Sequence, residues 1–64
     1  MNPGDLISVV DSLIIPNCLL IVIEADSTVE MLRVMRDHRM RIIERFASTV
    51  SHEIKSGRMR VIAS

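Results

Sequence analysis

The side chains able to do chemistry are few and scattered along this chain. His38 and His52 stand fourteen residues apart, and neither has a second His or Cys three or four positions away. That spacing is what sets two metal ligands on one helical face, so both histidines are expected at the surface and no metal site is expected. Cys18 is the single cysteine. With no oxyanion device or orienting motif beside it, it reads as a buried thiol acting as a small hydrophobe rather than as a nucleophile. It cannot close an intrachain disulfide, which favours a reducing compartment and a cytoplasmic location. The two glycines, Gly4 and Gly57, are isolated from one another, so no Gly-rich phosphate loop exists. The carboxylates form no pair at catalytic spacing. No cofactor is expected, and the chain is not read as an enzyme.

One charged cluster stands out: Arg33, Arg36, Arg39, Arg41 and Arg45. Arginines neutralise phosphates, the main source of non-specific nucleic-acid affinity. Here, however, the formal net charge is zero and Phe46 is the only aromatic residue, which leaves little for base stacking. Asp37 and Glu44 dilute the cluster, and Asp37 can pair with Arg41 one helical turn on. A solvated, salt-bridged face is favoured, with anion or nucleic-acid contacts through Arg33, Arg36, Arg41 and Arg45 as the alternative. Arg36 and Arg39 fall toward the apolar side of that helix. They either pack their stems at a rim, pair with a carboxylate, or hold an anion.

These residues must be positioned by a chain of 64 residues, at most one small domain. Asn2-Pro3 has the form of a helix start, and Leu6, Val9, Val10, Leu13 and Ile14 repeat at helical spacing, predicting a helix over 3–15 that stops before Pro16. The run Cys18 to Ile23 is rich in β-branched residues and predicts a strand or buried segment over 18–24. Ser27-Thr28-Val29-Glu30 has the capping-box form, and no Gly or Pro follows until Gly57. A long amphipathic helix is therefore predicted over 27–56, about 45 Å at the α-helical rise. The weaker helix formers Ala47 to Ser51 mark the place for a bend. Alternation of Met59, Val61 and Ala63 predicts a short strand over 58–63.

The segment Ala25 to Arg41, preceded by the apolar Leu19 to Ile23, resembles the first strand and helix of a cystathionine-β-synthase-type nucleotide-sensing domain. Ser56 to Ile62 faintly resembles its later strand. The resemblance covers barely half of the chain, and the strand expected after Arg41 is replaced by a stretch of helical pattern. No ligand-contacting residue carries over.

The expected fold is thus α+β and predominantly helical, completed by oligomerisation, with an all-α helical hairpin dimer as the alternative. The long helix would present Met31, Leu32, Met35, Arg39, Ile42, Ile43, Phe46, Val50 and Ile54 as an interface too wide for the short upstream elements to cover. All eight Lys and Arg residues lie between Arg33 and Arg60, whereas Asp5, Asp11, Glu24, Asp26 and Glu30 precede them. That split reads as assembly information. The expected function is a small non-catalytic interaction or regulatory subunit that self-associates or joins a larger partner. A membrane-associated alternative rests on Leu6 to Ile23, 18 residues of which thirteen are apolar. Asp11 opposes it, since a central Asp costs roughly 2.5–3.5 kcal/mol on insertion.

Overall fold

A computed structural model describes residues 1–12, 15–34 and 39–64. Five strands and one helix follow in the order β1 (Leu6–Val9), β2 (Cys18–Ala25), β3 (Thr28–Val34), β4 (Met40–Phe46), α1 (Ala47–Lys55) and β5 (Met59–Ala63). The strands form a single sheet of order β4-β3-β2-β1-β5, antiparallel throughout. The first four make a meander. Helix α1 then carries the chain across one face, from the β4 edge to the opposite edge, where β5 pairs with β1.

The covered face is built by alternation. Ile7 and Val9 of β1, Leu20 and Val22 of β2, Val29 and Met31 of β3 and Met59 of β5 are buried together with Val50 of α1 and Ile15 from the β1–β2 connection. Ala47, Val50 and Ile54 recur at helical spacing, so a nine-residue helix suffices to lay one apolar stripe on this face. Its end is a glycine stop. Gly57, at φ 81°, donates its N–H to the Ile54 carbonyl, and Arg58 donates to the Glu53 carbonyl, the paired bonds of a Schellman motif. At the other end no side chain caps the helix. The Ala47 N–H instead donates to the Ser27 carbonyl at 3.0 Å, tying the helix start to the β2–β3 turn.

The architecture corrects the expectation of a predominantly helical fold, and equally the all-α hairpin: strand accounts for 53% of the described chain and helix for 16%. Asn2-Pro3 starts no helix. Pro3 and Gly4 are the central residues of a turn closed by the Asp5 N–H on the Asn2 carbonyl, with Gly4 at φ 91° as a type II turn requires. The Asp5 carboxylate accepts the Asn2 N–H at 2.9 Å, and Leu6–Val9 proceeds as a strand. The long amphipathic, arginine-rich helix over 27–56 is likewise replaced by β3, β4 and the short α1. Ser27 lies in the β2–β3 turn rather than at an N-cap, because pairing β3 between β2 and β4 buries Val29 and Met31 on one face. Tertiary pairing outweighs the local capping signal here. The stretch expected to bend, Ala47 to Ser51, is instead where the helix forms. The segment that resembled a strand and helix of a nucleotide-sensing domain is the β2–β3 hairpin, continuing into β4.

Candidate functional site

The face of the sheet away from α1 carries the second set of alternating residues. Register places Leu6, Ile21, Leu32 and Ile42 side by side across β1, β2, β3 and β4. The next row reads Ser8, Leu19, Val34 and Met40. Among the described residues no helix lies over these side chains, and Ile42 and Met40 are 61% and 62% exposed. Phe46, opposite Thr28 on the same face, is 71% exposed. On β5 the exposed Ile62 extends the apolar surface.

Charge occupies two corners of this open face. Glu24, Glu30 and Glu44 are directly opposite one another across β2, β3 and β4. A bulge between Val22 and Glu24 makes this row: without it, strict alternation would turn Glu24 into the core. With Asp26, Ser27 and Thr28 these carboxylates line a shallow depression that, among the described residues, contains no basic side chain. At the diagonally opposite corner, Arg58 and Arg60 line another depression with Ser8, Val10, Gly57 and Ile62, and among the described residues no acidic one enters it. Like charges directly opposite on adjacent strands destabilise a sheet, so the acidic row works against this fold.

No family model, curated protein or solved structure matches the chain. Its site is accordingly read from the geometry alone.

The residues expected on one helical stripe divide between the two faces. Met31 and Val50 are fully buried, and Ile43 and Ile54 pack against the same core. Leu32, Ile42 and Phe46 belong to the open face. Arg39 is exposed just before β4, while Met35, Arg36, Asp37 and His38 lie outside the described residues. Of the expected anion contacts, Arg33 and Arg41 are opposite one another on the helix side, and the Arg45 guanidinium donates to the Glu44 carbonyl at 2.7 Å. Register sets all three on the covered side near the β3–β4 edge, and Arg45 also borders a hollow with Thr28, Glu44, Phe46 and Thr49 at the end of that edge. The sequence pattern does not mark Leu6, Leu19, Ile21, Val34, Met40 or the acidic row as parts of one surface. Their signal is register, which becomes visible only once the strands are paired.

Among the described residues Asp5 and Glu53 are the buried charged groups, and Cys18 is only partly buried. Burial pushes the Cys18 thiol above its ordinary value of 9.0, while the charge of Arg33 and its hydrogen bond pull the other way. A thiol held protonated is a poor nucleophile. Glu53 on α1 is 3% exposed and its Oε2 has no hydrogen-bond partner. Among the described residues no group of three His, Cys, Asp or Glu could hold a metal ion. The span considered for a membrane is divided between β1 and β2, and among the described residues no helix is long and apolar enough to cross a membrane.

Proposed function

We propose that this protein is a small non-catalytic interaction subunit and that the open face of its sheet, rather than any helix, is the surface through which it acts. The observation that carries this reading is the continuous apolar row Leu6–Ile21–Leu32–Ile42, flanked by Leu19, Val34 and Met40. Antiparallel sheets with one face in water alternate apolar and polar residues, the polar ones outward. In this sheet the centre of the outward face is apolar as well, with charge confined to two corners. Four strand spacings of about 4.8 Å and about 20 Å of strand give the open face, charged corners included, a footprint near 400 Å², and apolar patches of a few hundred Å² are often functional.

The test is a photo-crosslinking residue installed at Ile42, with Ser48 on the exposed side of α1 as the control site, in cells making the protein. Adducts above monomer mass from Ile42 alone support the reading. Equal yields from both sites, or monomer only from Ile42, overturn it.

A further inference from the structure

We propose that the occupant of the open face is a second copy of this chain, docked face to face about a two-fold axis with the two sheets crossed at roughly 90°. This rests on the open face being the interaction surface and adds the partner and its orientation.

The orientation follows from where the charges lie. On a grid of about 4.8 Å per strand and about 3.4 Å per residue, the Glu24–Glu30–Glu44 row and the Arg58–Arg60 pair are centred about 22 Å apart. The line joining them runs diagonally across the strands, since the carboxylates span β2 to β4 toward the β2–β3 turn, while Arg60 lies on β5 and Arg58 just before it at the other end. Face-to-face docking of identical copies requires a two-fold axis in the interface plane. An axis along or across the strands sets the carboxylates against one another or against the second copy's apolar rows, where they lose water without gaining a counter-charge. An axis along the line joining the two corners sets acid against acid. Only an axis perpendicular to that line brings each acidic row onto the other copy's Arg58 and Arg60, and it turns one sheet about 90° relative to the other, a recognised packing of two sheets. The same axis passes close to Leu6, Ile21 and Val34, so the apolar centre meets its own counterpart. Phe46, beyond the acidic row, is carried toward the second copy's Val10 and Arg58.

Such a contact explains the acidic row: its repulsion is relieved when two guanidinium groups arrive. It also explains why the two corners are charged with opposite sign while the ground between them is apolar. The footprint is small for a stable complex, so association is expected to be concentration-dependent and salt-sensitive.

The experiment is sedimentation velocity over a concentration series on three proteins: the native chain, Glu30→Lys/Glu44→Lys, and Arg58→Glu/Arg60→Glu. The first pair of changes leaves one opposite-charge neighbour in the row where the native chain has none, so the fold is not endangered; far-UV circular dichroism checks both variants. The native chain should dimerise, and each variant alone should associate at least about tenfold more weakly, about 1.4 kcal/mol. Mixed in equal amounts, the two variants should recover a heterodimer, because each altered corner then meets its complement. A native dimer whose variants stay monomeric when mixed overturns the crossed orientation. A native chain that is monomeric throughout overturns the second copy as occupant, and adducts from Ile42 in that case would leave the interaction reading standing.

Discussion

Glu30 stands directly opposite Glu44 on the open face, with Glu24 on its other side. Cross-strand neighbours of this kind have Cβ atoms about 5 Å apart, and like charges there work against the sheet. The fold and the surface make opposite demands on these carboxylates. Replacing Glu30 by Thr should therefore raise the melting temperature of dilute protein, by the equivalent of about 0.2–1 kcal/mol, while weakening association at high concentration. Thermal melts paired with sedimentation read both effects. A variant that lost thermal stability when dilute would contradict this account of the row.

Glu53 offers a stability prediction independent of the interface. A buried polar atom left unpaired costs on the order of 1–3 kcal/mol. Glu53→Met keeps length and removes the orphaned oxygen, so it should raise the midpoint of urea denaturation without changing its slope. A lowered midpoint would mean that the carboxylate has a partner in solution.

Gly57 closes α1 in a left-handed conformation, and nothing lies within 4 Å of where a Cβ would stand. The cost of a side chain there is conformational alone. Gly57→Ala should destabilise by about 1 kcal/mol, with the fold retained, and Gly57→Asn by less. Chemical denaturation of the two variants gives the comparison; equal stability of all three proteins would contradict the helix stop.

Cys18 supplies the pH dependence. Because burial raises its folded-state value above 9.0, the folded chain holds its proton more tightly than the unfolded chain does. The resulting stabilisation is complete below 9.0 and declines as pH rises through the folded value. Arg33 opposes the shift, so Arg33→Gln should move the thiol higher and slow its alkylation near pH 9. The pH profile of iodoacetamide labelling measures this directly; faster labelling in the variant would contradict the arrangement of Arg33 and Cys18.

The sequence was legible where one physical signal stood alone. The β-branched run after Pro16 lies in β2, and the lone Gly57 does stop a helix. The helical pattern over β3 and β4 misleads, and the cause is the open face itself. A sheet with one wet face shows a period of two, but here Met31 and Ile43 point to the core while their neighbours Leu32 and Ile42 point to an apolar surface. The alternation vanishes, and the leftover spacing of Met31, Leu32, Ile42 and Ile43 fits a helix. A chance capping box and a β3–β4 connection with neither Gly nor Pro add to the helical signal. The same property that makes the face a candidate site thus hid the strands that build it.

On the proposed function, association covers the open face. Methyl NMR with a soluble paramagnetic agent, recorded over a dilution series, measures this most directly. The methyls of Ile21, Leu32 and Ile42 should be shielded at high concentration and become strongly attenuated on dilution, whereas those of Ile7, Leu20 and Val50 should stay shielded throughout. Attenuation of the first group that is the same at every concentration, up to the millimolar range, would contradict the account.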